Sequence, residues 1–172
     1  NDREVELPLL RAAGGERTPS WDEALRWLAE RLRHATKPLV VASANLSNEA
    51  LFQVRRQLAE GAHMTVLVPV NEGPGRRIKN GRGEWNASRD AHPNSTGARL
   101  LGLPTVDAPT LETSVRDSEG PILVLDAHAH PWLASEAAAA AAAGREVAEA
   151  ARLRTALVDS ATLVLPLARC AE

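Results

Sequence analysis

Apolar positions along this chain fall into two spacings. Trp21, Leu25, Leu28 and Leu32 recur at helical intervals, with Arg26, Glu30, Arg31 and Arg33 on other faces. In front of them, Ser20-Trp21-Asp22-Glu23 is a capping box. There a Ser hydroxyl and a Glu three residues later satisfy free N–H groups of the first helical turn. The pattern predicts an amphipathic helix ending near His34, before Pro38. Leu39-Val40-Val41-Ala42 is a continuous apolar run and reads as a buried strand. After the polar turn Ser43 to Ser47, a second helix is predicted from Asn48 to Gly61, with Ser47 as N-cap and Leu51, Val54 and Leu58 as its inner stripe. Met64 to Val70 reads as a second buried strand. Strand, helix and strand within about 32 residues favour a right-handed crossover between parallel strands.

The pattern then changes. Residues 71–120 are rich in Gly, Pro, Asn and charge and are predicted to form one long irregular insertion, with short helices over Ser95 to Leu101 and Pro109 to Ser118. Ile122 to Leu125 is a third buried strand. A long helix is predicted from about Trp132 to Leu153. It carries the alanines Ala137 to Ala143, and Gly144 marks a point where it can kink. Leu163 to Leu165 is a fourth strand, stopped by Pro166. Residues 1–19 read as an irregular lead-in. The alternation predicts an α/β fold: one domain over 1–172, Rossmann-like, with a doubly wound, mostly parallel sheet and helices on both faces.

Composition narrows the function. Aromatic residues are 3% of the chain, so the core is aliphatic, and the net charge of −2 gives no electrostatic footing for nucleic acid. The one cysteine, Cys170, excludes an intrachain disulfide, a Cys-x-x-Cys zinc site and a four-cysteine cluster held by this chain alone. No apolar stretch has the length of a membrane span or signal peptide, so a cytoplasmic location without membrane insertion is expected.

Candidate chemistry gathers where the predicted strands end. The turn carrying Asn45 and Asn48 leads into a helix N-terminus, whose free N–H groups can hold a phosphate, although no glycine-rich phosphate motif is present. Arg76, Arg77, Lys79 and Arg82 form a basic run that reads as solvated. His128 and His130 make an HxH pair after a strand, a geometry that suits zinc. No histidine follows them, so a metal site would have to borrow His34, His63 or His92. Loop histidines are the simpler reading. Nothing around Cys170 activates its thiol, and Asp159 belongs to no nucleophile arrangement.

Several segments, in order, resemble the molybdopterin-oxidoreductase superfamily, and most of all the molybdopterin-like domain in the large iron–sulfur subunit of bacterial NADH:quinone oxidoreductase, respiratory complex I. Pro8-Leu9-Leu10-Arg11 followed by Ser20-Trp21-Asp22-Glu23-Ala24-Leu25 is similar to the family's entry segment. Leu46-Ser47-Asn48-Glu49, Asp90-Ala91-His92-Pro93-Asn94-Ser95-Thr96-Gly97-Ala98 and Ala161 to Glu172 match later ones. The family has Asp where Thr162 stands. No counterpart of its molybdenum ligand is identifiable, and the cysteine-rich cluster domain that precedes the entry segment is not in this chain.

The resemblance implies a non-catalytic structural domain with no active site and no cofactor of its own. Molybdopterin is not expected, and iron–sulfur clusters are expected elsewhere in the assembly. It also implies other oxidoreductase subunits or domains as partners, and a peripheral place on the inner face of the cell membrane. An alternative is a cofactor-binding fragment of a molybdopterin enzyme of the formate dehydrogenase or nitrate reductase type, its nucleotide lying near Asn45, Asn48 and Asp90. A remoter one is a metal-dependent hydrolase using His128 and His130.

Overall fold

The computed structural model of the chain describes residues 4–12, 14–70, 77–81, 83–86, 93–126, 133, 137, 139–140 and 143–167, and of residues 77–78, 80 and 84–86 the backbone only. The two apolar runs that read most clearly as strands become neighbours at its centre. These are β3 (Leu39–Ala42) and β8 (Ile122–Leu125), parallel and in register from Leu39 opposite Ile122 to Ala42 opposite Leu125. On the far side of β3 lie β4 (Thr65–Pro69) and then the two-residue strand β7 (Thr105–Val106). On the far side of β8 lie β9 (Val147–Ala151) and β10 (Leu163–Pro166).

All six run parallel. In chain order their positions across the sheet are third, second, first, fourth, fifth and sixth. That is the doubly wound order with a topological switch point between its first and fourth strands, here β3 and β8. Two antiparallel strands, β1 (Leu9–Ala12) and β2 (Gly15–Arg17), extend the sheet beyond β10, giving eight strands in all. The α/β expectation holds.

Helices cover both faces. Helix α1 (Trp21–His34) and helix α2 (Asn48–Gln53), which continues as a π-helix over Val54–Gly61, pack with α3 (Ser95–Leu100) on one face. Ala24, Leu32, Leu51, Val54 and Ala98 meet Val40, Val66, Val68, Leu123 and Leu163 there. On the other face are α4 (Ala108–Asp117), the helical residues Leu133, Ala137 and Ala140, and α5 (Ala156–Ser160). A sheet buried on both faces needs near-continuous apolar strands, and β3 is buried at all four residues.

Three expectations change. The long helix does not reach Leu153. Gly144 stands at φ +83°, and the Arg145 N–H donates to Ala140 O at 3.2 Å, a Schellman-type stop. The next residues, Val147-Ala148-Glu149-Ala150-Ala151, form β9 between β8 and β10. Their alanines favour a helix locally, but burial on both faces of the sheet overrides that preference.

The lead-in is not wholly irregular. Arg11 on β1 donates from Nη1 to Val158 O (2.8 Å) and Ala161 O (2.7 Å), satisfying carbonyls at the end of α5 and pinning the edge strands. The stretch 71–120 also holds more regular structure than expected. Besides α3, β7 and α4 it carries a hairpin of β5 (Arg77–Asn80) and β6 (Gly83–Asn86). Among the described residues no helix is long and apolar enough to cross a membrane.

Because Gly144 occupies the left-handed region, Gly144→Ala is expected to cost about 1–2 kcal/mol of unfolding free energy, read by urea denaturation. An unchanged midpoint would contradict the stop assigned to this glycine.

Candidate functional site

Ligands of doubly wound sheets sit beyond the carboxyl ends of the strands at the switch point. In this chain that crest is built from the residues leaving β3 and β8. The Ser43 N–H donates to Leu125 O (2.9 Å) and the Asp126 N–H to Ala150 O (2.8 Å), so the sheet's bonding runs one residue past both strands. Ser43 is buried, and its Oγ accepts from the Asn45 N–H at 3.1 Å. The Leu46 N–H returns to Ser43 O at 3.1 Å, closing a tight turn. Ser47 then caps α2, its Oγ accepting from the Ala50 N–H at 3.2 Å.

This turn is held from outside as well. The Asn94 N–H donates to Ala44 O (3.1 Å), and the Asn94 side-chain amide donates to Leu46 O. Helix α3 thereby lies against the start of α2. A β-carbon on Gly97 would fall on Asn48 Oδ1 and 3.1 Å from Asn48 Cγ, so the bare glycine leaves room for that side chain. The Pro-Asn…Gly-Ala segment, singled out from the sequence by resemblance alone, thus fastens the turn at the crest.

The N-terminus of α2 carries its own anion. The Glu49 carboxyl is held below the usual carboxylate range, first by a hydrogen bond from its own backbone N–H and then by one from the Ser47 hydroxyl. A carboxylate favoured in a first helical turn occupies the electrostatic role that a bound phosphate would take. A nucleotide phosphate brought to Asn45 and Asn48 would meet this negative charge, with no lysine or arginine among residues 43–49 to offset it.

One buried acid went unnoticed in the sequence. Glu149 lies in the middle of β9, between Val124 on β8 and Val164 on β10, and is fully buried. Its carboxyl is pushed up from 4.5 to about 7. Burial away from water is the main cause, hydrogen bonding from Thr155 opposes it, and the charge of Asp126 adds to it. Thr155 Oγ1 lies 3.3 and 3.2 Å from the two carboxyl oxygens and also caps α5 by accepting from the Val158 N–H. Asp126, at the end of β8, has a left-handed backbone (φ 63°) and is half-buried. No local pattern marks Glu149, because the residues around it read as helix.

The structure brings Asn45 and Asn48 together at the crest, both exposed. Asp90, His92, His128, His130, Arg76, Arg82 and Cys170 lie outside the described residues, as does the side chain of Arg77; Lys79 is exposed. His34 and His63 are exposed and precede β3 and β4, at the sheet edge opposite the crest. Among the described residues no three His, Cys, Asp or Glu side chains gather as a metal site. Asp159 pairs with Arg154 at 2.8 Å on the surface. Thr162 serves the sheet: its Oγ1 accepts from the Val147 N–H at 3.3 Å.

No family model matches the chain. Over 146 residues it is 32% identical to the G subunit of NADH-quinone oxidoreductase from Pseudomonas putida strain KT2440, a match that covers 84% of this chain and 14% of that protein. The chain therefore spans a small part of the curated relative's length. The likeness agrees with the resemblance read from the sequence to the quinone oxidoreductase subunit, and it carries nothing about the wider molybdopterin superfamily.

Two outcomes are expected from this geometry. Glu149 binds its proton more tightly folded than unfolded, so its contribution to stability is full below about pH 4.5 and is lost as pH rises through about 7. Glu149→Gln should flatten that dependence. In thermal melts it should gain on the order of 3 kcal/mol over the parent at pH 8, and little at pH 4.5. Asn94→Ala should cost about 1 kcal/mol and speed amide hydrogen exchange at Asn45 and Leu46; unchanged exchange there would remove the role assigned to Asn94.

Proposed function

We propose that this chain is a non-catalytic α/β domain of a G-type subunit in an NADH:quinone oxidoreductase. In this reading electrons pass through iron–sulfur clusters held by other segments or subunits. The domain supplies packing surface to that assembly, on the cytoplasmic side and peripheral to the membrane, with no nucleic-acid partner. The observation that carries the reading is the identity to the Pseudomonas putida protein across most of the chain. The crest turn supports its second half: Glu49 supplies an anion at the α2 N-terminus, and Asn94 ties the turn shut.

The runner-up is a fragment that binds a pterin nucleotide. It is favoured by the strand order, whose switch point is where nucleotides sit in other proteins of this architecture. The residues at that point fit it poorly, because the phosphate would have to displace or neutralise Glu49. The two readings part on purified protein. The structural reading expects molybdenum, pterin and flavin far below one per chain, and an unchanged melting temperature in millimolar nucleoside diphosphate. A saturated site would instead add about 2.7 kcal/mol at a hundredfold excess over Kd. Stoichiometric pterin or molybdenum, or a shift of that size, would sink the structural reading.

A further inference from the structure

The helical layer on one face of the sheet has a gap. Between α1 and the π-helical end of α2 a groove of about 890 Å³ reaches down to Leu123 on β8. Its walls include Leu28, Leu32 and Leu58, and Leu25 of the same helical stripe is left 48% exposed. An apolar stripe on a surface helix ordinarily closes against its neighbour, and here it closes only in part. Clefts of roughly 300–1,000 Å³ with apolar walls and a few polar groups are the usual form of small-molecule sites.

The rim carries one sign of charge. Arg33 and Lys37 line it, no Asp or Glu does, and neither cation is in an ion pair with a described residue. That contrasts with a chain whose acids outnumber its bases, 22 to 20. The backbone around the rim is unusual too. Lys37 (φ 58°) and His63 (φ 52°) both stand in the left-handed region that favours glycine. Residues held in that region cluster at ligand clamps, and π-helical turns such as Val54–Gly61 recur at functional sites.

We propose that this groove binds a single-chain carboxylate amphiphile of the fatty-acid class. Its alkyl chain lies between α1 and the π-helical turn against Leu123, and its head group lies between Arg33 and Lys37. The two rim cations disfavour an alkylammonium and select the carboxylate. The groove lies at the opposite edge of the sheet from the crest, so its occupancy is independent of the function proposed above.

Calorimetric titration of the intact protein with dodecanoate and with dodecyltrimethylammonium, both below their aggregation limits, tests it. The expected result is one dodecanoate per chain, with the ammonium binding at least about tenfold more weakly. The surface double variant Arg33→Glu/Lys37→Glu should weaken dodecanoate by about tenfold or more while leaving the melting temperature near the parent's. Leu58→Trp, which narrows the groove between α1 and the π-helical turn, should weaken dodecanoate as well. No binding of dodecanoate, equal binding of the two amphiphiles, or unchanged affinity in the charge-reversed protein each overturns the proposal.

Discussion

Everything in this fold follows from a parallel sheet buried on both faces. Strands β3 and β8 are closed in by helices above and below, so their residues have no room for polarity. Val40, Val41, Ile122 and Val124 are each sealed from solvent. Polar chemistry is thereby pushed to the two edges where strands begin and end. Glu149 is the exception that measures the constraint. A carboxyl fixed between Val124 and Val164 keeps its proton near neutral pH, because ionising it there means giving up water for one threonine hydroxyl. The sheet holds an acid at its centre most readily in its neutral form.

The crest shows how an architecture associated with nucleotides can lack a nucleotide's electrostatics. Strand order brings β3 and β8 together, and a helix begins just after β3, so the geometry of a phosphate site is present. The local residues answer the needs of that helix end internally. Ser47 takes one free N–H, the Glu49 carboxylate takes another, and α3 is laid against the turn through Asn94 and Gly97. Topology fixes where a ligand would sit, and side chains decide whether one is welcome.

How much of this was legible in the residues depended on range. Helix α1 and strands β3, β4 and β8 were readable because capping boxes and short runs of Val, Leu and Ile carry their meaning within a few positions. Strand β9 was not. Val-Ala-Glu-Ala-Ala following seven alanines has the composition of a helix, and only its place between β8 and β10 makes it a strand. The edge strands β1 and β2 depend on Arg11 reaching carbonyls 147 and 150 residues away. At the site, the turn and its cap were visible in Ser47 and Asn48, but the tie from Asn94 spans 48 residues. No periodicity reports such a contact; resemblance pointed to the segment without saying what it does.

The two edges of the sheet also differ in how finished they are. At the carboxyl edge the Ser43 and Ser47 hydroxyls and the Asn94 side-chain amide find partners within the chain, so these groups have little left to offer a ligand. At the amino edge, α1 and the π-helical turn stop short of one another, leaving Leu25 open and two cations without ion-pair partners among the described residues. Unsatisfied groups are where binding energy remains available, since a bond already made inside the protein must be broken before a ligand can use it. By that reasoning the crest that topology singles out is the poorer place to look for a ligand in this chain. The amino edge, which topology leaves unmarked, is the better one.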